Sequence, residues 1–226
     1  MAARRLKVVR RKLDREVDST PNWQQPVVIK QRNVIVDKVS EFMMAGEVPL
    51  SVCDGIVDFF YHNDNYKAKP GVIGGDRDAP RTNDAVKQSM DMTVHTSYGD
   101  FDDRIKDYLN CLDSLIEKYH KTYRKSALSS RISPKFNIQH YEPGGGYKTW
   151  HFERTGRKGA VYRHLVWMTY LTDNPDGGTQ FLYQDLNIPA ERGKTLIWPA
   201  EWMFTHKSRV DPEREKMIIT GWTELL

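Results

Sequence analysis

The chain has 226 residues, a net charge of +4, and 39% hydrophobic and 11% aromatic residues. This is a globular composition on a chain long enough to bury a sizeable core, which excludes disordered and collagen-like classes. Two cysteines, Cys53 and Cys111, exclude a disulfide scaffold and Cys-rich zinc or iron–sulfur modules, and no apolar run approaches the roughly 18 residues a membrane helix needs.

Residues 1–25 are basic and lack a steady period, and they read as an N-terminal arm ahead of a single domain over 26–226. The first 16 residues carry a net +5, leaving −1 on the remaining 210. The basic balance therefore belongs to the arm, which suits an acidic partner, and the body gives no reason to place nucleic acid at an active site. The N-terminus has no apolar secretory segment, so the expected compartment is the reduced cytoplasm, or the host cytoplasm for a virus-encoded protein.

Residues 27–29 and 34–36 are β-branched and predict short strands. Pro49-Leu50-Ser51 opens the first helix, and Ser51 with Asp54 has capping-box spacing. Leu50, Cys53, Ile56, Val57 and Phe60 form its apolar face. Residues 63–83 are rich in turn formers, and 67–83 is a candidate lid with Gly71, Gly74 and Gly75 as hinges. Weak alternation over 89–95 predicts a strand. Over 101–123, Ile105, Tyr108, Leu109, Leu112, Leu115, Ile116 and Tyr119 fall on one helical stripe, so the helical part spans about 49–123.

Beyond about residue 130 the texture changes. Short apolar runs at 135–141, 163–171, 179–183, 195–198 and 216–222 alternate with Pro143-Gly144-Gly145-Gly146, the stretch 173–178, Pro189, Gly193 and Pro199. That pattern predicts a sandwich, barrel or jelly roll over about 130–226, and a mainly β, α+β domain overall.

Seven histidines among thirty acidic residues produce His-x-carboxylate pairs by chance, so spacing alone decides nothing. His62/Asp64 reads as a helix end, and His140/Glu142 as a strand end before Pro143. His151/Glu153 differs in context, because it follows a glycine turn and an aromatic approach. Its spacing puts both side chains on one face of an extended segment. His206, 53 residues on, can supply a third ligand from a distant strand. Two histidines and a carboxylate are the facial triad of non-haem iron oxygenases. Lys216 lies ten residues past His206. If His206 ends one strand, a turn through Asp211-Pro212-Glu213 sets Lys216 on its neighbour, where the ammonium suits the far carboxylate of a diacid such as 2-oxoglutarate.

Residues 135–226 resemble the Fe(II)/2-oxoglutarate-dependent dioxygenases, above all the prolyl 4-hydroxylase type. Tyr141, Pro143-Gly144-Gly145-Gly146 and Tyr147 resemble that family's approach to its metal motif, and His151 and Glu153 fall where it has His-x-Asp. Arg163 to Thr172, Gly177-Gly178-Thr179 with Phe181, Pro189 to Trp198, and the series His206, Lys216, Trp222 follow the family's order and spacing. The resemblance implies a double-stranded β-helix backed by N-terminal helices. It implies His151, Glu153 and His206 as Fe(II) ligands. Lys216 would hold 2-oxoglutarate with help from Tyr141 and Tyr170 or Thr179, and Trp222 would pack near the cosubstrate or His206. The implied reaction couples decarboxylation of 2-oxoglutarate to succinate and CO₂ with O₂-dependent hydroxylation, with ascorbate as a reductant. Two departures stand out: Glu153 replaces the usual Asp, and Trp167 stands where smaller residues are usual, which bears on pocket shape.

The resemblance favours proline in a peptide or protein as substrate, with free proline or another small metabolite as the alternative. Tyr147, Trp150, Arg163 and Trp198 or Trp202 are candidates for the substrate mouth. The compact chain suits bacterial or viral versions of the family. Two other classes stay open: a zinc hydrolase using the same His/Glu/His set, and a non-catalytic jelly-roll binding module.

Overall fold

The computed structural model describes residues 37–75, 78–95, 102–157 and 159–226. The basic arm and the strands expected at 27–29 and 34–36 lie outside the described residues. The strands in chain order are β1 (Asp37–Ser40), β2 (Met43–Glu47), β3 (Lys69–Pro70), β4 (Ile73–Gly75), β5 (Asp78–Arg81), β6 (Lys87–Gln88), β7 (Met90–His95) and β8 (Ser130–Ile132). There follow β9 (Lys135–Tyr141), β10 (Gly146–Tyr147), β11 (Arg163–Tyr170), β12 (Asn174–Phe181), β13 (Leu186–Ala190), β14 (Lys194–Pro199), β15 (His206–Arg209) and β16 (Lys216–Leu225). The helices are α1 (Leu50–Tyr61) and α2 (Asp103–Thr122).

A nine-stranded antiparallel sheet runs β1-β2-β14-β11-β16-β9-β7-β3, with β8 added beside β16. A three-stranded sheet, β13-β12-β15, faces it. Together they make a double-stranded β-helix backed by two helices, the α+β jelly roll expected from the sequence. Strand alternation divides the interior in two. Phe136, Ile138, Leu165, Trp167, Met217 and Ile219 face α1 and α2, where Ile56, Phe59, Tyr108, Leu112 and Leu115 meet them. Tyr141, Val166, Met168, Tyr170, Trp198 and Ile218 face the small sheet and pack with Phe181, Ile188 and Phe204. Cover on both faces explains the unbroken burial of β11 from Leu165 to Tyr170. Among the described residues, no helix is long and apolar enough to cross a membrane.

Trp167 therefore points at the helices, and its bulk does not shape the pocket. Its room comes from Gly221, its partner in the β11–β16 register. A Cβ at 221 would meet the Trp167 ring at 2.4 Å and Phe136 Cβ at 2.8 Å. Gly221→Ala should cost about 1–3 kcal/mol by overpacking. Urea unfolding should give a lower midpoint at unchanged slope.

Several local expectations are revised. The N-cap of α1 is Pro49 with no side-chain cap bond. Ser51 falls inside the first turn, too late to cap, and Asp54 pairs with Arg192. Leu50 is exposed, while Cys53, Ile56 and Phe60 are buried. α2 is capped by Asp102, which accepts from the Arg104 amide at 3.0 Å. The stretch 67–83 is not a bare loop: β3 pairs with β7, and β4 and β5 pair with each other. Gly71 is no hinge, since its N–H donates to Ser89 O at 2.8 Å and a Cβ there would lie 2.2 Å from Ser89 Oγ. β12 begins at Asn174, inside the expected turn, and absorbs a bulge between Asn174 and Thr179. The strands β1, β2, β13 and β15 had no apolar run strong enough to announce them.

Candidate metal centre and adjoining pocket

His151 and His206 stand opposite each other in an isolated antiparallel bridge. The two amides and carbonyls exchange hydrogen bonds, His151 N to His206 O at 3.0 Å and His206 N to His151 O at 2.8 Å. Backbone pairing thus brings residues far apart in sequence to one point, with ring centroids 4.3 Å apart. His206 opens β15 rather than ending a strand, and β15 pairs with β12 in the small sheet. Lys216 opens β16 in the large sheet, so the two face each other across the jelly roll and are not on neighbouring strands.

The donor atoms converge. One atom from each of His151, Glu153 and His206 lies within 4.8 Å of the others. Glu153 Oε1 is 3.5 Å from His151 Nε2 and 3.8 Å from His206 Nε2. Each histidine ties its other nitrogen to a carbonyl: His151 Nδ1 to Thr149 O at 3.0 Å, His206 Nδ1 to Phe204 O at 2.8 Å. A carbonyl only accepts, so each Nδ1 donates its proton there and Nε2 is the ring nitrogen directed at Glu153. Tyr147 stacks on the His151 ring with centroids 3.7 Å apart. Trp198 and Phe181 flank His206 at 5.3 and 5.5 Å.

Glu153 is held at its other oxygen. Oε2 accepts from Arg163 Nη1 at 2.8 Å and from Trp222 Nε1 at 3.0 Å, and the Arg163 guanidinium lies 3.6 Å from the centre of the Trp222 ring. One oxygen is clamped and the other is directed at the histidines. The extra methylene of Glu over Asp is taken up by this clamp. Burial opposes ionisation of Glu153, but the hydrogen bond and charge of His151, with Arg163 and His206, outweigh it and bring the carboxyl to about 2. Burial and the neighbouring His151 lower His206 to about 4, so its ring is neutral near pH 7. Two imidazole nitrogens and one carboxylate oxygen, each supported from behind, fit a divalent iron site.

A cleft of about 1470 Å³ opens from this triad along the inner face of the large sheet. At its base Lys216 is 4% exposed and donates to Gly178 O at 3.0 Å. Gly178 has φ +110°, and a Cβ there would meet Ile188 O at 2.1 Å, so only glycine turns this carbonyl toward the lysine. Burial and the nearby Arg209 lower Lys216 to about 8. The Lys216 ammonium lies 5.2 Å from the Tyr141 ring centre. Tyr170 donates to Thr179 Oγ1 at 2.8 Å on the adjoining wall.

Behind Tyr141 lies a polar group that no sequence motif announces. Its hydroxyl donates to Gln139 Oε1 at 2.6 Å, and Gln139 Nε2 donates to Asp91 Oδ2 at 3.2 Å. Asp91 also accepts from Ser89 at 2.8 Å and pairs with Lys87. Period-two spacing back from Tyr141 was the available signal for Gln139. Gln139→Leu should unfix the Tyr141 hydroxyl at a cost of about 1–2 kcal/mol, read as a several-fold rise in KM for a diacid bound at Lys216, with kcat little changed.

Of the residues expected at a substrate mouth, Tyr147 borders the cleft against His151, and Trp150 stands at the rim, 42% exposed. Arg163 is committed to Glu153, and Trp198 is buried behind His206. Trp202 stacks edge-on against Tyr183 on the surface and is not among the cleft residues. His140 pairs with Glu215, and His62 caps α1 and binds Asp58, so neither joins the triad.

Residues 136–224 match the family model of the 2OG-Fe(II) oxygenase superfamily. No curated protein matches the chain. Among solved structures, a Pseudomonas putida prolyl-4-hydroxylase matches at TM-score 0.59 and 15% identity, covering 82% of this chain and 93% of its own. The 2OG complex of a viral collagen prolyl hydroxylase from Paramecium Bursaria Chlorella virus-1 matches at 0.58 and 14%, covering 82% and 97%. A Trichoplax adhaerens prolyl hydroxylase in complex with a hypoxia inducible factor peptide fragment matches at 0.59 and 14%, covering 82% and 84%.

Proposed function

We propose that this chain, whose residues 136–224 match the 2OG-Fe(II) oxygenase superfamily model, hydroxylates a proline in a peptide or protein at the site formed by His151, Glu153, His206 and Lys216. Fe(II) and 2-oxoglutarate are the cofactors of such a domain. Bound there, they supply the O₂ reduction that couples decarboxylation of 2-oxoglutarate to succinate and CO₂ with oxidation of a substrate C–H bond.

His151, Glu153 and His206 would hold the metal, at the wall of the cleft. Lys216 binds the far carboxylate of 2-oxoglutarate, and the ring of Tyr141 walls that end of the pocket. Tyr170, Thr179 and Trp222 complete the surround, Trp222 through its bond to Glu153. Tyr147 holds His151 in plane and borders the substrate mouth, where Trp150 forms part of the rim. Residues 26–226 act as one catalytic domain, with 67–83 as its candidate lid and 1–25 as an accessory arm.

The observation that carries this reading is the pairing of the triad with a buried lysine and tyrosine one cleft away. A zinc hydrolase has no use for Lys216, and a binding module has no use for carbonyl-tethered histidines. The prolyl preference draws on the neighbours' shared fold, two of them named for collagen prolyl or peptide-bound hydroxylases. Incubating the Fe(II)-loaded protein with 2-oxoglutarate, O₂ and proline-bearing peptides tests it. The expected product carries one added oxygen on proline, with matching succinate. Hydroxylation of free proline alone would move the substrate to the small-molecule class.

A further inference from the structure

We infer that the segment hydroxylated by this chain is acidic, with Asp or Glu residues flanking the reacting position on both sides. The inference rests on the peptide-oxygenase reading and adds the chemistry of the substrate to it.

The cleft is unevenly charged. Of the acids lining it, Asp91, Asp102 and Glu153 are each paired with a cation, respectively Lys87, Arg104 and Arg163. Asp64 is the one lining acid without a cation partner among the described residues. Lys67, Lys69 and Lys135 line the same cleft and have no carboxylate partner among the described residues. They sit toward the open edge of the large sheet, where β3 is the last strand and Lys135 begins β9.

A second cavity of about 330 Å³ adjoins the cleft at β15 and is lined by Lys148, Lys207 and Arg209. Lys207 lines both cavities and directly follows His206. The one acid in that second lining, Asp176, lies 3.4 Å from Arg214. Lysines on an edge strand such as β15 also deter edge pairing. Here Lys148 comes from a different segment and converges on the same cavity, which edge protection does not require. Positive charge thus reaches the cleft from the large sheet and from β15 of the small sheet, and Lys216 is reserved for the cosubstrate.

An acidic polypeptide fits better than single-stranded nucleic acid. Binding of bare strands relies on open aromatic faces for base stacking. At this mouth the Trp150 ring carries the Lys207 ammonium 4.6 Å from its centre, and the Tyr147 ring carries His151. The same cleft offers short polar groups of the large sheet, Thr93, Asn137 and Thr220, suited to a peptide backbone.

The test uses the full chain loaded with Fe(II) and 2-oxoglutarate under nitrogen, so that bound peptide is not consumed. A proline-centred peptide library randomised at the flanking positions is selected on it. Selected peptides and a dT12 oligonucleotide are then titrated at 25 and 300 mM NaCl. The expected result is enrichment of Asp and Glu on both sides. Affinity should fall at least about fivefold across that salt range, and by roughly tenfold in Lys135→Glu/Lys207→Glu. The milder Lys135→Gln/Lys207→Gln pair should weaken it less, with thermal melts confirming the fold of each. Neutral or basic enrichment, no peptide binding, or tighter binding of dT12 than of any peptide would overturn the inference. Binding of 2-oxoglutarate, followed separately by tryptophan fluorescence, reports on the oxygenase reading itself and separates the two failures.

Discussion

Glu153→Ala should reduce Fe(II) binding below detection in anaerobic equilibrium dialysis and lower 2-oxoglutarate turnover by roughly 10³-fold or more, several kcal/mol of lost metal-assisted stabilisation. The substitution removes the only anionic donor of the triad. It also strips Arg163 Nη1 and Trp222 Nε1 of the oxygen they share at 2.8 and 3.0 Å. The guanidinium then lies beside two histidine nitrogens with no charge between them. Glu153→Asp separates these effects. A shorter carboxylate can meet the histidines or the clamp but not both, so metal affinity should fall by roughly 10–100-fold, the range for a disturbed supporting contact. Retention of full affinity in Glu153→Asp would show that the clamp does not set the reach of Glu153.

Lys216→Ala should raise KM for 2-oxoglutarate by roughly 10²–10³-fold, corresponding to about 3–4 kcal/mol for removing one partner of a buried ion pair. Fe(II) affinity should be little changed, because Lys216 belongs to the opposite sheet from His206. The pH dependence carries a sign. Burial lowers Lys216 to about 8 in the free protein. The ammonium is therefore present below pH 8 and lost above it, and the dianion binds only the charged form. Apparent affinity for 2-oxoglutarate should be flat from pH 6 to 7.5 and fall with rising pH beyond 8. Lys216→Arg should keep binding through pH 9, since guanidinium does not deprotonate in that range. A pH profile unaltered by Lys216→Arg would assign the loss to another group.

Much of this was legible in the chain because strong periodicity and irregular residues coincide with function. The stripe from Ile105 to Tyr119 gave α2, and the apolar runs gave β9, β11, β14 and β16 within a few residues. His151, Glu153 and His206 stood out through glycine context and spacing, and the structure brings them together. What stayed hidden depends on pairing across the fold. The strands β1, β2 and β15 are short and owe their state to partners such as β14 and β12, which no local window contains. His206 and Lys216 were expected on adjacent strands because ten residues suggest a hairpin, whereas the chain crosses between sheets there. Arg163 was expected at the substrate mouth; it lines the cleft and spends its guanidinium on Glu153, a pairing that no local window announces. Trp167 was read against the pocket because a sequence does not say which face of a doubly covered strand a large residue takes. Gly221 resolves it only when the register is known.

The central claim is that His151, Glu153 and His206 bind iron for chemistry on a 2-oxoglutarate held by Lys216. Succinate release from 2-oxoglutarate tests it most directly, measured for wild-type and His206→Ala protein with Fe(II) and O₂, and repeated after chelation and under nitrogen. The account predicts turnover in the wild type that requires iron and O₂ and is lost in His206→Ala. Succinate formation that survives chelation or the His206 substitution, or an iron-loaded wild type that neither binds nor turns over 2-oxoglutarate, would contradict it.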